Sequence, residues 1–386
     1  MMPDSQSKRI FISALEPSAE LHCANLIGQC GRKMGESKTS IKSIEWIGFG
    51  GPKMEEAGCA LLENTVSRAA MIYKVFSQLG YYRSLIHKAR QLLEQNKPDL
   101  VIVCDSPAFN FHIAKAARKL NIPVLFYVAP QLWAWAPWRI HKLKACCDKL
   151  ACILPFEQDW FQHRGVDATF VGNPLFDELT EPLEANLKTY DGFTPQQAKI
   201  ALLPGSRRHE IETLWPAMQQ IALEIRKVYP KTRFYTAAPD MSKIVLLHEH
   251  RMNGFSCLEQ IGGLMDLCKQ VDMAIVASGS ATLQVAAAAC PMIVMYQSSR
   301  LMWHLVGRWL IRTPVLSLPN IVAGRRLVPE FMPYFASIDP ITHVAMDYLG
   351  SVERLKKASA DLVDLCKPLA GRNTAAEVAN IVFQMI

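Results

Sequence analysis

Along the first half of the chain, short uninterrupted apolar runs alternate with longer stretches whose apolar residues recur at helical spacing. Residues 9–14 (RIFISA), 44–48, 99–104 (DLVIVC), 122–128 (IPVLFYV) and 149–154 (KLACIL) are such runs, and 21–30 shows the helical pattern after the first. Continuous rather than alternating apolar runs, each followed by a helix, predict strands of a parallel sheet covered on both faces. The theme returns at 199–203 (KIALL), 233–237, 273–277 and 292–296. Between the halves, residues 173–197 (NPLFDELTEPLEANLKTYDGFTPQQ) are acidic and turn-rich. The pattern predicts an α/β chain of two doubly wound, Rossmann-like domains facing a cleft. Their bounds are 1–172 and 198–345, joined by 173–197 and followed by a helical segment, 346–386, that can return to the N-terminal domain. The 386 residues fit two cores at about 100–200 residues per domain.

Residues 273–296 carry no charge and are long enough to cross a bilayer. Ser278-Gly279-Ser280 and Pro291 break the run, which predicts strand, turn, short alanine-rich helix and strand instead. The polar opening MMPDSQSKRI has no apolar signal core, and the eleven cysteines show no zinc-ligand spacing, Cys146, Cys147 and Cys152 included. Reduced thiols in the cytoplasm are expected. The net charge of +7 suits an anionic substrate, an anionic membrane surface or a nucleic acid. No nucleic-acid reader motif accompanies it.

Ligands of doubly wound sheets bind beyond the carboxyl ends of strands, so residues just after strands carry the candidate chemistry. Asp105, directly after DLVIVC, is placed either as a general base or as a helix cap. Residues 201–208 (ALLPGSRR) read as strand, turn and helix start. Gly205, Ser206 and Arg207 there can meet a phosphate with backbone N–H groups and a guanidinium, or can form an ordinary turn with solvated arginines. Ser278, Gly279 and Ser280, with Gln284 one turn later, offer a second phosphate or ribose contact, or a common helix cap. Gly48-Phe49-Gly50-Gly51 lacks dinucleotide-loop spacing and reads as a turn. Trp133, Trp135 and Trp138 can stack on sugars or acyl chains, or fill a core. His141 falls on a solvated helix face, and His209, His248 and His250 lack partners at metal-ligand spacing, so no metal or cofactor is expected.

The runs CDSPAFN, VAPQLWAW, KLACILPFE, FVGNPL, LLPGSRRHEI, ASGSATLQVAAAACPMIVMY and SLPNIVAGRRLVPE stand in the order seen in lipid-A-disaccharide synthases, over about residues 9–380. The chain resembles that family. The resemblance implies a GT-B fold and inverting transfer from UDP-2,3-diacylglucosamine to 2,3-diacylglucosamine 1-phosphate. It implies Asp105 as the base, Arg207 and Asn320 near the nucleotide, and Glu16, Ser18 and Asn110 on the acceptor side. It also implies work at the inner face of the cytoplasmic membrane, and is compatible with a homodimer. Three departures stand out. The family's G-E-A-S-G-D is Leu15-Glu16-Pro17-Ser18-Ala19-Glu20 here, which puts a backbone needing positive φ in question. Ala108 replaces an aspartate, and Gln284 replaces a glutamate. Alternative readings keep the UDP-sugar but change the reaction, to an epimerase or a transferase with a polyprenyl acceptor, or drop turnover altogether.

Between Glu63 and Glu94 there is no acidic residue, while Arg68, Lys74, Arg83, Lys88 and Arg90 stand among Met71, Ile72, Val75, Phe76, Leu79, Tyr81 and Tyr82. Residues 300–312 (RLMWHLVGRWLIR) share this character. The first predicts an interfacial segment, against the alternative of an amphipathic helix packed on its own sheet; for the second both readings stay open.

Overall fold

The computed structural model describes residues 6–36, 40–66, 75–177, 179, 181–299, 303–304 and 313–386, without the side chains of 36 and 75–79. The chain forms two compact units, Met1–Asp177 with Gly371–Ile386, and Glu178–Ala370. In the first, strands β1 (Ser7–Ser13), β2 (Ser43–Gly50), β3 (Cys59–Asn64), β4 (Leu100–Cys104), β5 (Val124–Tyr127), β6 (Lys149–Cys152) and β7 (Ala168–Phe170) form one parallel sheet. Its order is β3-β2-β1-β4-β5-β6-β7. Helices α1 (Pro17–Glu36), α2 (Pro52–Glu56), α3 (Val75–Asn96), α4 (Pro107–Lys119), α5 (Ile140–Lys144), α6 (Pro155–Gln162) and α7 (Pro174–Asp177) follow the strands in turn.

The second unit repeats the plan with β8 (Lys199–Leu203), β9 (Arg233–Ala238), β10 (Leu258–Ile261), β11 (Met273–Ala277), β12 (Met292–Met295) and β13 (Glu330–Phe331). These lie in the order β10-β9-β8-β11-β12-β13, again all parallel. Its helices are α8 (Arg208–Val228), α9 (Met241–Glu249), α10 (Leu264–Gln270), α11 (Ala281–Ala287), α12 (Leu318–Ala323), α13 (Asp339–Leu349) and α14 (Val352–Cys366). The uncharged stretch 273–296 is β11, α11 and β12, and no helix among the described residues is long and apolar enough to cross a membrane.

The central strands form where the sequence is continuously apolar. Every residue of β4, β5, β11 and β12 is buried, because helices cover both sheet faces. Helix α8 shows the matching stripe. Ile211, Leu214, Trp215, Met218, Ile221, Ala222 and Ile225 recur at three- and four-residue spacing and are buried on their sheet. Each large apolar side chain so buried contributes about 1.5–3 kcal/mol.

The domain limits differ from the sequence expectation at two places. Residues 173–177 belong to the first unit, where α7 ends at Asp177. Helices α13 and α14 belong to the second, whose core takes in Ile341, Ala345, Leu349 and Leu355. Only the last helix, α15 (Thr374–Met385), lies with the first unit. Val378, Ala379, Ile381 and Val382 pack there with Leu26, Ile27 and Cys30 of α1. Asp177 fixes its start, accepting from the Thr374 backbone N–H at 2.9 Å and hydroxyl at 2.8 Å. All eleven cysteines are free thiols.

Candidate functional site

In each sheet the strand order reverses once, between β1 and β4 and between β8 and β11. Ligands of open α/β sheets bind outside the carboxyl ends of the strands at such a point. Asp105 leaves β4 there, and the chain leaving β1 carries Glu16 and then Ser18 at the start of α1; Ser13 of β1 is in register with Val103.

The Asp105 turn is strained and held. Asp105 has φ +51° and Ser106 φ +43°, left-handed backbone at two successive residues with side chains, which costs about 1–2 kcal/mol each. The Asp105 N–H donates to the Tyr127 carbonyl at 3.0 Å. Asn110, fully buried one turn into α4, donates its amide to the carbonyls of Cys104 (3.0 Å) and Asp105 (2.7 Å). Its carbonyl accepts from the Ser13 hydroxyl at 2.9 Å, which ties β1 to the same turn. The Asn110 side chain is thus engaged with the protein's own groups and braces the Asp105 backbone from behind. Burial pushes the Asp105 carboxyl above the usual carboxylate range, and the Ser106 N–H pulls it partly back. Ser106, not Asp105, occupies the cap position of α4, and its side chain makes no capping bond.

Glu16, Pro17 and Ser18 are exposed at the start of α1. The lost glycines of this motif leave no strain, since Leu15 and Ala19 are buried and neither has positive φ. Glu20 is buried and accepts from the Lys53 N–H at 2.8 Å, joining α1 to the start of α2. Gly48 and Gly50 belong to β2 rather than to a turn. A Cβ on Gly48 would lie 1.8 Å from the Ile12 carbonyl oxygen, a close approach that only glycine permits.

Strain also appears after β5, where Val128 has φ +65°, rare for a β-branched residue. The following loop is anchored by Trp133, buried against Phe156 and donating its indole N–H to Glu157 at 2.9 Å. Glu157, also buried, accepts from the backbone N–H groups of Leu154 (3.0 Å) and Ile153 (3.2 Å) at the start of α6. Burial raises its carboxyl to about 7, against the pull of those three donors. Glu157 has only a local sequence signal, an acid three residues after the last residue before a Pro-started helix. Trp135 and Trp138 are exposed instead, 39% and 54% accessible, with the Arg139 guanidinium over the Trp135 ring.

In the second unit, Gly205 has φ +99° at the end of β8. The helix-start amides expected to be open to phosphate are already engaged. The Glu210 carboxylate accepts from the N–H groups of Ser206 and Arg207, both at 3.2 Å. Those bonds are long, and Glu210 also faces the Arg207 guanidinium at 3.4 Å. Arg207 is 76% exposed and Ser206 exposed, so the charge available to an incoming anion is the guanidinium rather than those two amides. Ser278, Gly279 and Ser280 lie at the end of β11, beside β8, with Ser278 half-buried, the next two exposed and Gln284 half-buried in α11.

Asn320 is engaged within its own loop. It is fully buried and donates to the Val328 carbonyl and the Glu330 carboxylate, both at 2.9 Å. It accepts from the N–H groups of Leu327 (2.7 Å) and Val328 (2.8 Å). Glu330 also takes the Ser317 N–H (2.9 Å) and hydroxyl (2.7 Å), clasping the start of α12. Asn320 therefore shapes the 317–330 loop and has no amide group left for a nucleotide.

Among the described residues, no group of three or more His, Cys, Asp or Glu side chains is placed to hold a metal ion. His248 pairs with Glu259, and His250 meets the Leu246 carbonyl. Of the expected interfacial segments, 67–74, 300–302 and 305–312 lie outside the described residues, as do the side chains of Val75, Phe76 and Leu79. Further along α3 the amphipathic reading holds. Leu85, Ala89, Leu92 and Leu93 are buried, Tyr82 packs on Phe109, and Lys88 turns out to Glu63.

Residues 10–381 match the family model described as lipid-A-disaccharide synthetase. The chain belongs to that family. A lipid-A-disaccharide synthase of Geobacter sulfurreducens is 32% identical over 392 residues, covering all of this chain and 99% of its own. Lipid-A-disaccharide synthase 1 of Legionella pneumophila is 31% identical over 389 residues, covering 99% and 98%. Among solved structures, the S. aureus MnaA–UDP complex aligns with a TM-score of 0.60 at 14% identity, with 98% of both chains covered. The calicheamicin glycosyltransferase CalG4 gives 0.57 at 13%, again over 98% of both. At such identities these two speak for the fold alone, the two-unit GT-B arrangement. Family membership favours the glycosyltransferase reading over the epimerase and the non-catalytic one.

Proposed function

We propose that this enzyme joins UDP-2,3-diacylglucosamine to 2,3-diacylglucosamine 1-phosphate, giving lipid A disaccharide 1-phosphate and UDP with inversion at the donor carbon. The observation that carries the reading is the Asp105 turn. A carboxylate on a strained backbone that Asn110 holds through the Asp105 carbonyl, at a switch point and raised in basicity by burial, suits removal of a proton from a sugar hydroxyl. The acceptor 6-hydroxyl gives its proton to Asp105 as its oxygen forms a bond to the donor anomeric carbon. The bond from that carbon to the UDP oxygen breaks, and the electron pair leaves with UDP. Arg207 meets the growing charge on the diphosphate. Its contact with Glu210 is weak for so exposed a guanidinium, so turning to the diphosphate costs little.

Gly205, Ser206, Ser278, Gly279, Ser280 and Gln284 complete the donor side, and Glu16 and Ser18 the acceptor side. Because a guanidinium neutralises the leaving group, turnover is expected to persist in excess EDTA. The acylated substrates call for work at the inner face of the cytoplasmic membrane, on an anionic surface. Incubation of the purified protein with both substrates and detection of the disaccharide by mass spectrometry tests the reading. Release of UDP without any disaccharide would refute it.

A further inference from the structure

A groove of about 840 Å³ runs along one face of α4 in the first unit. On the α4 side it extends from Ala108 through His112 and Lys115 to Lys119, and the facing wall supplies Arg139 and Lys142. At 1.5 Å per residue, that face is about 16 Å long. It begins in the first turn of α4, next to the Asp105–Ser106 turn. A smaller cavity of about 340 Å³ shares His112, Lys115 and Lys119 and adds Arg90, with Glu94 as its carboxylate.

The charge of this groove is unbalanced. Arg118 is paired with Asp148 at 2.7 Å. Among the described residues, no carboxylate pairs with Lys115, Lys119, Arg139 or Lys142. Clustered cations without counter-charges repel one another, and a concave wall focuses their field on an entering anion. Such a set is stabilised by a bound anionic group. Beside it stands the exposed indole of Trp135 under the Arg139 guanidinium, an amphipathic surface suited to the apolar flank of a lipid or sugar.

We propose that this groove binds the phosphate-bearing end of the acylated acceptor, with Lys115 and Arg139 as its main charge partners. The inference rests on the reaction proposed above and deepens it. The acceptor's reacting hydroxyl must reach Asp105, and its phosphate sits across the sugar ring from that hydroxyl. Lys115 stands seven residues beyond Ala108, about 10.5 Å along the helix, a span that the sugar ring and the long lysine side chain cover together. The α4 face presents His112, Lys115 and Lys119 outward, while Ala108, Phe111, Ala145 and Cys146 give the groove an apolar lining suited to the acceptor's sugar and acyl flank.

The test compares two acceptors, diacylglucosamine 1-phosphate and phosphate-free diacylglucosamine, presented in neutral detergent micelles to the full chain. The double variant Lys115→Gln/Arg139→Gln should lower the kcat/KM ratio of phosphorylated to phosphate-free acceptor by at least about tenfold, mainly through KM. Lys115→Arg should keep the ratio, and Lys356→Gln on the second unit should not change it. Tryptophan-fluorescence titration with the same two ligands reads binding without turnover. An unchanged ratio in a folded double variant overturns the proposal. So does equal loss on both acceptors, including the case where loss accompanies release from phosphatidylglycerol vesicles, which makes the groove a membrane dock. If the wild type makes no disaccharide yet binds the phosphorylated ligand through Lys115 and Arg139, the groove stands and the reaction reading falls.

Discussion

Replacing Asn110 by alanine tests whether the Asp105 turn, the proposed catalytic turn, is held from behind. The substitution removes three buried hydrogen bonds, to the Cys104 and Asp105 carbonyls and from the Ser13 hydroxyl. At about 0.5–1.5 kcal/mol each, their loss lowers stability by roughly 2–4 kcal/mol. The two left-handed residues they restrain, Asp105 and Ser106, cost about 1–2 kcal/mol apiece. The two sums are comparable. Without the amide, therefore, the strained turn is no longer clearly preferred over a relaxed one, and the carboxylate loses its fixed position. Misplacement on the scale of 1 Å costs about 10²-fold in turnover, so kcat should fall ~10–100-fold per folded molecule. UDP affinity, measured by titration calorimetry, should be unchanged, because the proposed donor residues lie in the second unit. The pH profile separates positioning from simple destabilisation. Burial holds the Asp105 carboxyl above its ordinary value, and a relaxed, better-solvated turn should move the acid limb of kcat/KM to lower pH. A folded Asn110→Ala protein with wild-type kcat and an unmoved acid limb would refute the reasoning.

Glu157 should give stability a distinctive pH dependence. Its folded carboxyl lies at about 7, above the unfolded value of about 4.3, so between those values the folded state keeps a proton that the unfolded chain releases. Its contribution is fullest below the unfolded value and is lost as pH rises from there through 7, by at most about 4 kcal/mol. Urea melts at pH 5.5 and 8 should show Glu157→Gln gaining on wild type at the higher pH; a difference that stays constant contradicts the burial argument. Gly205→Ala places a Cβ 2.3 Å from a Glu210 carboxylate oxygen at φ +99°. It should lower stability by about 1–3 kcal/mol and weaken UDP binding, and a thermal melt matching wild type would count against the Glu210 clasp.

The central strands were legible because burial on both faces leaves continuous apolar runs. The edge strands β3, β7, β10 and β13 were not, and the reason is visible in their exposure: each is only partly buried along its length. With one side open, their sequences lose the apolar signature. Asp105 could be found because it follows such a run directly. Asn110 and Asn320 could be singled out by family resemblance, but not their roles, since an amide in sequence does not show whether it faces substrate or backbone. Both face backbone. Glu210 stands at the third position of its helix, where an acid often closes on the first amides, and that local rule would have foretold the occupied helix start. The return of α15 to the first unit depends on Asp177 meeting Thr374, a pairing that no local pattern announces.

The central claim is that Asp105 is the base of a glycosyl transfer. Asp105→Asn keeps the size of the side chain while removing its charge and its capacity to take a proton. Disaccharide formation from UDP-2,3-diacylglucosamine and 2,3-diacylglucosamine 1-phosphate should fall by about 10²–10⁴-fold, with UDP bound as tightly as by the wild type. Turnover within a few-fold of wild type in the folded Asp105→Asn enzyme would contradict the account.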